Sequence, residues 1–145
     1  MRKLSLSITI VLISLLITSC FPSYGEEADE HFWQGIEYVK QEEHELAITE
    51  FTMAIEHNPK NPYAYYNRGL SNFKIGNLQS SLSDYNIAID LDPDNPYWLY
   101  ERGFLNLQLG KHEQAILDLE KSLEIGLPSD YRDDAEEVLA DLGQK

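Results

Sequence analysis

Apolar residues along this chain fall at intervals of three and four. Ile48, Phe51 and Ile55 are spaced this way, as are Leu82, Tyr85 and Ile89, and again Ile116, Leu119 and Leu123. That spacing puts each triplet on one face of a helix. A second kind of stripe, stepping by three, four and three, precedes each triplet. Its members are Asp29, Phe32, Ile36 and Val39, then Tyr63, Tyr66, Leu70 and Phe73, then Tyr97, Tyr100, Phe104 and Leu107. End signals frame these segments. Asn61 and Asn95 are N-caps ahead of Pro62 and Pro96, whose missing N–H costs nothing in a first helical turn. Gly76 and Gly110 close the helices that those prolines open. The pattern predicts helices over 28–40, 44–57, 62–75, 78–91, 96–109 and 112–125. A seventh is predicted over 130–142, with Ser129 as N-cap and Gly143 as stop. Its apolar face is Tyr131, Ala135, Val138, Leu139 and Leu142, and its other face carries Asp130, Asp133, Asp134, Glu136, Glu137 and Asp141.

The helices repeat with a period of 34 residues. When 28–61, 62–95 and 96–129 are laid over one another, Gly35, Gly69 and Gly103 coincide. The small residues Ala47, Ser81 and Ala115 coincide, as do the large apolar residues Phe51, Tyr85 and Leu119. Asn61-Pro62-Tyr63 recurs as Asn95-Pro96-Tyr97, and Tyr66-Asn67-Arg68-Gly69 recurs as Tyr100-Glu101-Arg102-Gly103. Small residues at the shared positions let two antiparallel helices approach closely. One such unit cannot bury a core alone, but stacked units can.

Over 28–129 these motifs resemble the tetratricopeptide repeat. The first copy departs most, with Glu42 in the turn held elsewhere by Gly76 and Gly110, and Gln34 in the slot of Arg68 and Arg102. The resemblance implies an all-α fold: an α-solenoid of three helix-turn-helix units, 28–61, 62–95 and 96–129, plus a capping helix over 130–145. The acidic face of that last helix would solvate the open end of the array.

The N-terminus reads differently. Met1-Arg2-Lys3 is basic, Leu4–Ile17 is apolar, and Ile17-Thr18-Ser19-Cys20 follows. The apolar run suits a signal segment and is short for about 30 Å of hydrocarbon. Its ending resembles a bacterial lipobox, which implies cleavage of a signal peptide (1–19) before Cys20 and lipidation of the Cys20 thiol. Ordinary signal cleavage after small residues near Ser23-Tyr24-Gly25 and uncleaved anchoring are the alternatives. Residues 20–27 read as a tether. A thioether diacyl group with an amide-linked chain would suffice for stable anchoring. Phe21, rather than Asp, follows the cysteine, which points to the outer membrane, periplasmic face, if the organism is Gram-negative.

Charge and composition narrow the functional classes. Hydrophobic residues make up 43% of the chain and aromatics 11%, which marks a folded domain. Twenty-five acidic residues face 11 Lys and Arg, for a formal net charge of −14. Such a surface repels nucleic-acid phosphates and favours basic partners. Cys20 is the one cysteine, so no internal disulfide can form. His31, His44, His57 and His112 lack ligand spacing, and Asp92-Pro93-Asp94-Asn95 lacks the glycine and terminal glutamate of a calcium loop. No nucleophile–base set or phosphate loop stands out. The reading is therefore of a non-enzymatic chain with no cofactor and no metal.

In the tetratricopeptide family the stripe of each first helix lines a concave groove that receives peptides or helices. The resemblance thus implies a partner-binding groove of Phe32, Ile36, Tyr63, Tyr66, Leu70, Phe73, Tyr97, Tyr100 and Phe104, with Tyr63, Tyr66, Tyr97 and Tyr100 as its exposed members. Packing between neighbouring repeats is the alternative for each. The family's clamp for acidic chaperone tails uses Lys, Asn, Asn, Lys and Arg, where this chain has Phe32, Ile36, Asn67, Phe104 and Gln108. Only Asn67 survives, so that clamp is absent. Arg68 and Asp84, like Arg102 and Asp118, are expected to form ion pairs joining the two helices of one unit; an anion site at the arginine is the alternative. The function expected is a membrane-anchored scaffold for a protein or peptide partner. The alternatives are a pilotin-like assembly factor for a secretion or pilus machine and a self-associating structural lipoprotein.

Overall fold

The computed structural model describes residues 24–143. The signal segment 1–19, the lipidation candidate Cys20 and the start of the tether lie outside them. Among the described residues seven helices follow one another: α1 (Tyr24–Lys40), α2 (His44–His57), α3 (Pro62–Lys74), α4 (Leu78–Leu91), α5 (Pro96–Gln108), α6 (His112–Ile125) and α7 (Ser129–Gly143). They form three antiparallel pairs, α1–α2, α3–α4 and α5–α6, stacked in order and closed by α7: the all-α solenoid expected of the 34-residue period.

Local chemistry explains the boundaries. Asn61 Oδ1 accepts from the Tyr63 amide at 3.0 Å and Asn95 Oδ1 from the Tyr97 amide at 3.1 Å, each ahead of a first-turn proline. Gly76 and Gly110 adopt left-handed conformations at the ends of α3 and α5, and Glu42 is forced into the same region at φ 61°. Two expectations are corrected. Helix α1 starts at Tyr24, so 24–27, read as tether, are helical, with Glu26 and Glu27 complementing the positive end of the helix dipole. Ser129, expected as an N-cap, is the first residue of α7; the Pro128 carbonyl accepts from the Tyr131 and Arg132 amides.

The core is one interlock repeated three times. Phe51, Tyr85 and Leu119, all fully or almost fully buried, lie against the glycines of their partner helices. A Cβ on Gly35 would come within 2.6 Å of the Phe51 ring, one on Gly69 within 2.9 Å of Tyr85, and one on Gly103 within 2.9 Å of Leu119. Ala47, Ser81 and Ala115 have no exposed surface and let the second helices close in.

Polar ties join successive units. Arg68 donates from Nε to Asp84 Oδ2 (3.0 Å), from Nη2 to Asp84 Oδ1 (2.7 Å) and from Nη1 to Thr52 Oγ1 (3.2 Å) on the preceding unit. Arg102 repeats the arrangement with Asp118 (2.9 and 2.6 Å) and Asn86 (2.8 Å). Asn72 and Asn106 each add a donor to the same carboxylate. The first unit has Gln34 in place of the arginine, and there His31 Nδ1 reaches Glu50 Oε2 at 2.7 Å. Its ring also stacks on His57, 5.7 Å between centroids.

Candidate functional site

Helices α1, α3 and α5 turn their stripes to one side of the stack, and α7 continues the series. Tyr63, Tyr97 and Tyr131 stand one repeat apart, so α7 takes the position of a fourth first-helix. That placement divides the predicted groove into a filled end and an open end.

The filled end belongs to the third unit. Tyr100 is 8% exposed, with its ring 4.7 Å from Phe104 and 5.3 Å from Tyr131. Its hydroxyl donates to Asp134 on α7 at 3.4 Å. Tyr97, half-buried, meets Tyr131 edge-on at 5.3 Å. Phe104 packs with Val138, Leu139 and Ala135 in the cluster around Tyr100 and Leu127. Tyr100, expected to be exposed, is therefore core, because α7 lies over it.

The middle is occupied by Trp98. This side chain, 3% exposed, lies 4.3 Å from the Tyr66 ring and 5.3 Å from the Tyr63 ring. It leaves Tyr66, also expected to be exposed, only half-accessible, like Leu70 and Phe73. The Tyr66 hydroxyl lies close to the half-buried Glu101. Burial raises the Glu101 carboxyl above its usual range, while Lys74 and the Tyr66 hydroxyl pull it back down.

The open end lies between α1 and α3. Asp29, Phe32, Trp33, Ile36, Asn61 and Tyr63 line a cleft of about 480 Å³. Tyr63 is 52% exposed and Trp33 is 65% exposed, and Trp33 stands edge-on to Phe32 at 5.3 Å. Trp33 was not among the residues predicted to bind. It sits one place off the three-four-three stripe, in the slot of Asn67 and Glu101, where the other copies are polar. The signal available was that this slot contributes Asn67 to the concave side.

The opposite face carries two clefts related by one repeat, floored by Arg68–Asp84 and Arg102–Asp118. Each guanidinium is already held by a carboxylate and by a side-chain oxygen of the unit before it, so these are structural ties rather than anion sites. Among the described residues no cluster of three or more His, Cys, Asp or Glu is placed to hold a metal ion. None of the described helices is long and apolar enough to cross a membrane.

The buried tyrosines set a pH limit on this face. Burial, with Asp134 and Glu101 nearby, pushes Tyr100 up from 10.0 to about 12, and burial also raises Tyr66 and Tyr85. The folded chain keeps protons that the unfolded chain loses above about pH 10, so this stability is whole below that pH and falls as pH rises toward about 12. Urea midpoints are expected to drop between about pH 9 and about pH 11.5. Tyr100→Phe is expected to flatten the drop; an unchanged slope would show that Tyr100 ionises freely in the folded state.

Comparison with known proteins agrees with the geometry. Residues 35–76 match a family described as TPR repeat, and 62–95 and 99–125 each match the family described as tetratricopeptide repeat. No curated protein matches the chain in sequence. Among solved structures, the first TPR of Spaghetti (RPAP3), bound to the HSP90 peptide SRMEEVD, is 27% identical, with a TM-score of 0.76 over 83% of this chain and 93% of that one. The TPR2B domain of yeast Sti1 in complex with pHsp70 is 18% identical, with a TM-score of 0.74 over 81% and 97%. The Yersinia enterocolitica type III secretion chaperone SycD, in complex with a peptide of the translocator YopD, is 12% identical, with a TM-score of 0.76 over 80% and 92%.

Proposed function

The chain belongs to the tetratricopeptide-repeat family, and we propose that it is a protein-binding adaptor whose docking site is the open, N-terminal end of its concave face. The observation that supports this reading is the pairing of Trp33 and Tyr63, both more than half exposed, over the apolar residues Phe32 and Ile36. Large aromatic side chains left in water on a concave surface are the usual anchors of a partner segment, because they offer much contact area for little lost freedom. Solved structures of similar fold are complexes with peptides, which supports the same reading. Binding is the whole activity proposed: the cleft carries one carboxylate, Asp29, and no nucleophile–base pair.

The test is a pull-down from detergent-solubilised native membranes with the wild type and a Trp33→Ala/Tyr63→Ala variant. Both side chains are more than half exposed, so the variant is expected to keep its helical circular dichroism, with a modest fall in urea midpoint from the lost ring contacts to Trp98 and Phe32. It is expected to bind about tenfold or more weakly to whatever segment the wild type captures. Full retention of the same partners by the folded variant would remove the groove from consideration.

The adaptor is further proposed to be tethered to a bacterial membrane through lipid on Cys20. The run Leu4–Ile17 followed by Ile17-Thr18-Ser19-Cys20 supports this. Cys20→Ser is expected to move the protein from the membrane to the soluble fraction and to abolish the lipid mass on the mature N-terminus. An unmodified Cys20 in the wild type would contradict it.

A further inference from the structure

We propose that the N-terminal cleft selects a partner segment in which Lys or Arg stands beside an apolar side chain. The proposal rests on the adaptor reading and specifies the chemistry of what is bound. Asp29 is the one charged residue lining the cleft, and it is exposed at its edge. Lys60, in the loop before Asn61, is not among the lining residues, and Lys40 at the end of α1 is engaged by Glu37 at 3.3 Å. Trp33 and Tyr63 add accessible aromatic rings, whose faces attract cations and leave anions unrewarded. Phe32 and Ile36 offer apolar surface along which the alkyl stem of Lys or Arg can lie while its head stays at the rim. Carboxylate, rings and apolar floor thus suit one kind of side chain: long, apolar along its length and positive at its tip. The field of the whole chain acts in the same direction, since its formal net charge is −14. The peptide SRMEEVD in the first TPR of Spaghetti carries three acidic side chains. An acidic segment in this cleft would bring its carboxylates to Asp29 with no lining cation to receive them. The polarity of recognition is therefore reversed relative to that complex.

The probe is a random library of 12-residue displayed peptides, panned on the full chain in detergent, on Trp33→Ala and on Asp29→Lys. Circular dichroism verifies that each variant is folded. The wild type is expected to enrich peptides with Lys or Arg next to Phe, Leu, Ile or Trp. Trp33→Ala should lose them, and Asp29→Lys should shift the enrichment toward Asp and Glu. In a selected peptide, changing the basic residue to Glu should weaken binding about tenfold, and the loss should shrink at high salt. Trp33-dependent peptides without basic enrichment, or a preference unmoved by Asp29→Lys, would overturn the charge inference and leave the groove reading standing. If no peptide bound in a Trp33-dependent way, both would fall.

Discussion

Tyr85→Ala is expected to lower the free energy of unfolding by about 3–5 kcal/mol, the range for emptying an aromatic site in a core. Tyr85 is 1% exposed and stacks on Tyr66 at 5.8 Å. The space it would vacate cannot close easily. The backbone at Gly69 already comes so near that even a Cβ would meet the ring at 2.9 Å, and Ser81 on the same helix has no exposed surface. A domain of this size has about 5–15 kcal/mol in total, so such a loss is a large part of its stability. The middle unit also holds both inter-unit interfaces, and a solenoid that loses its middle loses its cooperativity. Tyr85→Phe keeps the ring and should cost less than about 1.5 kcal/mol. Urea titrations followed by circular dichroism measure both. A Tyr85→Ala loss below about 1 kcal/mol would mean that the ring is not the keystone of the α3–α4 pair.

Ending the chain after Pro128 should be comparably damaging, on the order of 5 kcal/mol, through a different mechanism. Helix α7 covers Tyr100 and Leu127 with Tyr131, Ala135, Val138 and Leu139. Its removal would leave a contiguous apolar surface on α5 and α6 in water, where such patches drive association. The truncated chain is expected to show a lower midpoint and concentration-dependent light scattering. Ala135→Glu, which puts a charge into the same buried contact, should reproduce both effects in a chain of full length. A truncated chain that stayed monomeric with an unchanged midpoint would show that α7 is an appendage. The same truncation would uncover Tyr97, Tyr100 and Phe104, so it should also broaden what the concave face can bind.

The array was legible in the sequence because its determinants are local and repeated. Gly35, Gly69 and Gly103 must be small because one large residue, sixteen positions later, fills the space above each of them. The Asn-Pro-Tyr starts and the left-handed turns at Gly76 and Gly110 mark helix ends without help from the rest of the chain. Arg68 and Asp84 could be paired by their spacing, yet the third partner, Thr52 on the preceding unit, depends on how one unit is set against the next. The open part of the groove was harder to read for the same reason. Tyr63, Tyr97 and Tyr131 look alike in the sequence, and only the stacking of α7 decides that Tyr100 is covered while the α1–α3 end is bare. Trp33 was missed because its slot is polar in the other two copies. The start of α1 at Tyr24 was missed because Pro22, Gly25 and the polar residues around them show no apolar period and read as a linker.

The site proposed here is one end of one face, and photocrosslinking tests that placement most directly. A photoreactive phenylalanine analogue would be placed separately at Trp33 in the open cleft, at Tyr131 over the filled end and at Leu117, 64% exposed on the opposite face. Each variant would be illuminated in intact cells and its adducts identified by mass. The expected result is a partner adduct from position 33 and none from 131 or 117. Adducts from position 117 or 131 with none from 33 would contradict the groove assignment.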